Sequence, residues 1–356
     1  MVTKFATPLA RRTVLGGALL AGTWGSASAA EPTGEIVVMG YSGSFQDNYT
    51  KAVIAPFMQE HPGIRVIYDA QGSSAQMLGL LRAQKAHPQA DVDIMDFSVA
   101  RVANKEGLFS KLDPQAVPNL ADIYDEAQMG GGMGPGLTFD NLVMLYNAAA
   151  VTPPPTGIPD LLNPAHKGRI VFSPAPNVVG IALQLVVAKY LGEDYKGSTD
   201  PEIDLLKKIA ANVQTWDAMP DGYTMIINGG ADIGIGWNAR AQAYSDKSGG
   251  KLRSVVMQSG SILDMDTINL VAGGRNTAAA QLFINYALGA APQERFAQIM
   301  FYGPTNKKAK LPPEIMARTS SYPATLSKMI PVDWDYVARV QDQWTNRWRR
   351  EVIPAR

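Results

Sequence analysis

The stretch Gly260–Leu270, GSILDMDTINL, places Asp264 and Asp266 one residue apart among Ile262, Leu263, Met265 and Ile268. Read as a strand, successive side chains alternate faces, so both acids point the same way, with Cα atoms roughly 6–7 Å apart. Three chemistries fit such a pair. Two carboxyls about 5–9.5 Å apart can hydrolyse a glycosidic bond as acid and base. Two desolvated carboxylates can await a cation. Or one acid is solvated and the other caps a turn.

Other catalytic signals are weak. His61, His87 and His166 each lie within two residues of a proline and form no ligand-spaced cluster, which argues against a zinc site. GYSGS at Gly40–Ser44 only superficially resembles a nucleophile elbow, because Ser44 stands where glycine is needed. There is no phosphate-binding G-x-x-x-x-G-K-[ST] loop. GIGWNA (Gly234, Gly236, Ala239) matches G-x-G-x-x-A, but no acid follows at the expected second strand end. No cofactor is expected.

The elements that must position these residues alternate. Ile36–Met39, IRVIYD and DVDIMDFS read as strands. Between them lie helical patterns around Val53–Met58 and in SAQMLGLLRAQKAH, the latter capped by Ser73 or Ser74. The helix VARVANKEGLF follows the third strand. This βαβαβ order predicts a parallel sheet with its ligand beyond the strands' carboxyl ends. The loops there carry Ser42, Ser44 and Phe45, then Asp96 and Ser98. After a glycine cluster at residues 130–136 comes an extended segment, Leu142–Tyr146, and then a second α/β unit. That unit has a strand at Arg169–Phe172, helices at Gly180–Leu191 and Pro201–Asn212, the strand ADIGIGWN and a helix at Arg240–Ser245. FYGPTNKKA reads as a loop. A last helix begins near Asp333, with Trp334, Val337, Trp344 and Trp348 on one stripe that reads as core.

The first 29 residues have an export-signal layout: Arg11 and Arg12, an apolar run Val14–Ala21, then Ala27-Ser28-Ala29. The arginine pair fits the twin-arginine address, with general secretion the alternative. The apolar run is too short to span a bilayer. Removing the segment takes away Lys4, Arg11 and Arg12 and no acid. The 32 basic residues less these three then face 32 acidic ones, a net charge of about −3. That balance gives no field for nucleic acid. With no cysteine, stability must come from buried core, which a chain of 356 residues in two lobes can supply.

Several stretches, in order, resemble the periplasmic solute-binding proteins of ABC importers, of the spermidine/putrescine-binding type. They are GLFSKLD, FDNLVMLYN, NPAHKGRIVF, IGIGWNARAQAY, DMDTINLVAGGRNTAAAQLFINYAL and YGPTNKKA. The resemblance implies a two-lobed α/β fold (type II), each lobe a mixed, mostly parallel sheet flanked by helices, joined by hinge crossings. The expected division is a signal peptide at 1–29, one lobe of 30–138 plus 267–312, and a second of 139–266 plus 313–356. It implies a periplasmic, monomeric, non-enzymatic binder that delivers a small amine or amino-acid-like ligand to the transmembrane subunits of an ABC permease.

By the same resemblance, Asp266 matches a ligand-binding acid, Trp237 a ring on the ligand's alkyl chain, and Tyr302 a cleft tyrosine. Phe45 takes an aromatic place and Ser98 a polar one. The chain departs from the polyamine binders in SPAPNVVG, where Asn177 replaces acids, and at Ser44. Arg240 brings the opposite charge three residues after Trp237, and Arg suits a carboxylate through its two-pronged fork. A helix opening near Asn177–Gly180 also favours anions. With Asp264 and Asp266 on the other side, a zwitterion such as 4-aminobutyrate stands beside putrescine and spermidine, and Asp264 is a candidate partner of Arg240. The competing expectations are an exported glycoside hydrolase using the acid pair, and a ferric-ion binder. Phe301 in place of a second tyrosine before Tyr302 argues against iron.

Overall fold

The computed structural model describes residues 1–3, 31–129 and 134–356. The expected export signal therefore lies almost wholly outside the described residues. Contacts divide the chain into Met1–Glu31 and Pro32–Arg356, and everything below belongs to the second unit. Among the described residues no helix is long and apolar enough to cross a membrane.

Among the described residues eleven strands form the sheet: β1 Gly34–Tyr41, β2 Ile64–Gln71, β3 Val92–Asp96, β4 Phe109–Ser110, β5 Gly136–Asn147, β6 Ile170–Val171, β7 Val213–Thr215, β8 Ile233–Trp237, β9 Leu252–Val255, β10 Leu263–Val271 and β11 Gly303–Pro304. The order is β2-β1-β3-β10-β5-β8-β6-β7, with β4 on β10, and β9 and β11 on β5. The two ends share one plan. β2-β1-β3 is parallel throughout, and so is β7-β6-β8. Between them β5 and β10 run antiparallel to their neighbours. The α/β architecture is therefore mixed: parallel within each half, antiparallel where the chain crosses.

β5 explains the crossing. All twelve residues are buried, as expected of a strand covered on both faces. Leu137 and Phe139 pack with Ile36, Ile94, Met265 and Phe283 in one core. Leu142 and Met144 pack with Ile233, Ile235, Trp344 and Trp348 in another. The strand changes cores at Asp140-Asn141. The return path does the same beside it, with Ile262 in the second core and Met265 in the first. Asp264 lies at that change. Val337, Trp344 and Trp348 are core, as their stripe implied.

Three expectations are corrected. The helix after β3 stops at Lys105 rather than running to Phe109. Gly107 adopts φ 66°, a left-handed stop, and Phe109–Ser110 pair with β10. The pattern-based reading passed over β7, three residues too short for a period to show. Within FYGPTNKKA, expected as loop, Gly303–Pro304 pair with β5.

Candidate functional site

The parallel strands place their carboxyl ends around the crossing. β3 ends at Asp96, which caps the helix Phe97–Lys105 by accepting from the Ser98 amide at 2.8 Å. Ser98 Oγ donates to the same carboxylate. In the other half β8 ends at Trp237 and the helix Asn238–Lys247 begins. Here Gly236 is required by close approach. A Cβ there would lie 2.4 Å from the Tyr223 hydroxyl, which accepts from the Trp237 amide at 2.6 Å. Gly236→Ala is expected to break that bond and cost roughly 1–2 kcal/mol of stability, read as a lowered urea midpoint at unchanged slope. An unchanged midpoint would contradict the packing described.

Register assembles the acids. Asp266 lies directly opposite Asp96 on β3 and Thr138 on β5, and Asp264 lies directly opposite Asp140. Paired residues on adjacent strands project to one face at close range. Four carboxyls from three strands therefore form one patch. Among the described residues none of the four has a basic side chain within 4 Å. Thr138 Oγ1 donates weakly to Asp266 at 3.4 Å, and the Tyr41 hydroxyl also bonds it. Asp140 Oδ1 accepts from the amides of Asn141, at 2.8 Å, and Ala239, at 3.0 Å.

Crowded, desolvated carboxyls resist ionisation. Burial, then Asp96, pushes Asp266 up to about 7. Burial, despite two amide bonds, pushes Asp140 up to about 7. Burial and then Asp96, Asp266 and Asp140 raise Asp264 well above the carboxylate range, and its carboxyl meets that of Asp96. The unfolded chain loses the Asp140 and Asp266 protons near pH 4, whereas the folded chain keeps them until about pH 7. The ligand-free protein is therefore expected to lose stability as pH rises from about 4 to about 7. Urea unfolding at pH 5 and 8 checks this, and greater stability at pH 8 would contradict it.

Arg240 is exposed to solvent, yet protein surrounds its charge. Its guanidinium lies 5.6 Å from the Tyr223 ring centroid. Burial works against that charge, but Tyr223, Tyr302, Tyr244 and Asp221 more than offset it and raise the pKa. Arg240 thus lies on the solvent-facing side of the site, beside Tyr223. Among the described residues no carboxylate comes within 4 Å of Arg240. Its expected pairing with Asp264 is not what forms: Asp264 meets Asp96, and Arg240's charge is felt at Asp140 instead. Aromatic rings complete the walls. Tyr302 stacks on Phe296 at 5.5 Å and lies 6.0 Å from Phe45. Burial, then Asp266 and Asp140, raises the Tyr302 hydroxyl.

The structure thus brings together Asp96, Asp264, Asp266, Tyr302 and Arg240, with Ser98 behind Asp96, Phe45 behind Tyr302, and Trp237 bonded to Tyr223. It does not bring in three others. Ser42 and Ser44 are exposed, and the Asn177 side chain caps its own helix at the Val179 amide. No hydrogen bond or ring contact among the described residues ties any of the three to the acids. The sequence reading missed Asp140, Tyr41 and Tyr223. A signal for Asp140 existed: it is a lone acid inside the apolar run LTFDNLVMLY.

The family described as bacterial extracellular solute-binding protein matches residues 52–324. Spermidine/putrescine-binding periplasmic protein 1 of Haemophilus influenzae is 26% identical over 285 residues, 74% of this chain and 74% of that one. The gamma-aminobutyric acid-binding protein of Pseudomonas aeruginosa is 25% identical over 326 residues, 87% of this chain and 89% of that one. Among solved structures, a spermidine/putrescine ABC transporter substrate-binding protein of Streptococcus pneumoniae superposes with a TM-score of 0.74. It is 20% identical and covers 91% of this chain and 100% of that one, a likeness of fold.

Proposed function

The chain belongs to the bacterial extracellular solute-binding proteins, and from that premise we propose that its cleft captures a small ω-amino acid of the 4-aminobutyrate type. The ammonium sits among Asp96, Asp140, Asp264 and Asp266, and the carboxylate sits on Arg240. The observation that carries this reading is the uncommitted guanidinium. A site with four carboxyls would pair its one arginine internally if that arginine were only a counter-ion. Arg240 instead stands more than 4 Å from every carboxylate among the described residues. An ammonium over an aromatic ring gains about 0.5–2 kcal/mol, and closing the cleft strengthens each ion pair by excluding water.

The rest of the reading follows from that premise. The protein works in the periplasm after losing residues 1–29, and acts as a monomer. It delivers its ligand unchanged to an ABC permease and is not an enzyme. Its lobes are 30–138 plus 267–312, and 139–266 plus 313–356, with the core change on β5 supporting the first boundary. A glycoside hydrolase reading draws no support from Asp264, whose carboxyl is engaged with Asp96. A thermal-shift screen of ω-amino acids, diamines, polyamines and ferric citrate tests the proposal. The largest stabilisation is expected from an ω-amino acid of three to five carbons. A larger shift from putrescine than from every ω-amino acid would make the ligand a diamine and the proposal wrong.

A further inference from the structure

We infer that Asp140 is a specificity-determining, proton-exchanging group of the cleft: it holds a proton until an ammonium arrives, and capture of the amine releases that proton. The inference rests on the reading of the cleft as an amine site. It goes beyond that reading by assigning Asp140 a role and capture a pH dependence.

Asp140 does two things with two oxygens. Oδ1 takes both amide bonds, from Asn141 and from Ala239. Ala239 immediately precedes Arg240, so Oδ1 anchors the start of the helix that carries the guanidinium. Oδ2 has no hydrogen-bond partner among the described residues. It is also absent from the sealed, unpartnered polar atoms, so it keeps some contact with solvent. Directly opposite is Asp264.

The charged and titratable groups that face this carboxyl come from every neighbouring element. Asp264 and Asp266 lie on β10, and Asp266 is opposite Asp96 on β3. Tyr41 at the end of β1 faces Asp266, Asp96 and Asp264. Tyr302 follows the helix Ala290–Met300 and feels Asp140. Tyr223 lies on the helix Gly222–Ile227, and Arg240 is the one cation among the described residues that acts on Asp140. If all four carboxyls were ionised, the patch would carry four negative charges against one positive. Protons relieve that repulsion, and Asp140, pushed up to about 7, holds one at mildly acid pH.

An ammonium seated among the four carboxyls, within reach of Asp140, removes the cause. An opposite charge within about 4–6 Å favours the ionised carboxylate. The step balances simply. The protonated Asp140 carboxyl and the ammonium give a carboxylate–ammonium pair and one proton to solvent. No bond of the ligand changes. An amine that reaches Asp140 therefore binds more tightly as pH rises through 7. A neutral or anionic solute does not release the proton and gains nothing.

Calorimetric titration of 4-aminobutyrate at pH 6, 7 and 8, in buffers of different ionisation heat, tests this. The wild-type protein is expected to release at least one proton near pH 6 and to bind at least about tenfold more tightly at pH 8 than at pH 6, since Asp140 and Asp266 both stand at about 7 and each linked group of that pKa contributes up to tenfold. Asp140→Asn keeps the Oδ1 acceptor for Ala239 and is expected to fold, to bind less tightly, and to release measurably fewer protons than the wild type, Asp266 still contributing its own. Wild-type heats that do not depend on buffer, with Kd constant from pH 6 to 8, would overturn the inference alone. So would full proton release from Asp140→Asn. The wild-type buffer series stands even if the variant does not fold. Absence of binding by 4-aminobutyrate and by putrescine at pH 8 would overturn the amine reading itself.

Discussion

Asp266→Ala is expected to weaken 4-aminobutyrate binding at least about thirtyfold, roughly 2 kcal/mol or more, because an ammonium left without its partner in a closed cleft keeps its desolvation cost and loses its attraction. Asp266 is the acid best held for this. It is supported from both flanking strands, by Thr138 at 3.4 Å and by register with Asp96, and the Tyr41 hydroxyl also reaches it. Met265 behind it is fixed in the core at 6% exposure. Asp264→Ala is expected to cost less, because the Asp264 carboxyl is engaged with that of Asp96 and its removal relieves crowding. Calorimetry on both variants separates them. Unchanged affinity in Asp266→Ala would remove Asp266 from the site.

The second large effect is selective. Arg240→Ala is expected to weaken 4-aminobutyrate about thirtyfold, in line with the roughly 1.5–3 kcal/mol of a charge-assisted hydrogen bond. It is expected to leave putrescine unaffected or bound more tightly. The guanidinium pairs with a ligand carboxylate but repels a second ammonium, so its loss acts with opposite sign on the two ligands. Its perch over Tyr223 at 5.6 Å is an aromatic contact rather than an ion pair. No internal carboxylate is therefore stranded by the change. Equal loss for both ligands, or loss for neither, would contradict the zwitterion reading.

The parts of this site that could be read from the sequence are those whose meaning is local. Asp264 and Asp266 share a face because of a two-residue period, and that period survives in β10. Trp237 and Arg240 flank a strand-to-helix turn whose composition announces it, and the helix begins at Asn238. Asp140 could not be read in the same way. Its importance comes from lying opposite Asp264, 124 residues away in sequence, and register between distant strands is set by the cores on either side of the crossing. Tyr41 and Tyr223 enter for the same non-local reason. Asn177 illustrates the converse. A polar residue at a strand or helix end looks available for a ligand, yet local backbone often claims it, as the Val179 amide claims Asn177. Many of the elements were legible, but β7 and β11 were too short to show a period, a left-handed glycine stopped one helix early at Gly107, and β9 and the eleven-residue helix Ala290–Met300 went unread.

The most direct test of the central claim is a side-by-side calorimetric titration of the wild-type protein with 4-aminobutyrate, putrescine and butyrate at pH 8. Saturable one-to-one binding of 4-aminobutyrate is expected, with weaker binding of putrescine and no measurable heat from butyrate. Tight binding of putrescine with no binding of 4-aminobutyrate, or equal binding of butyrate, would contradict it.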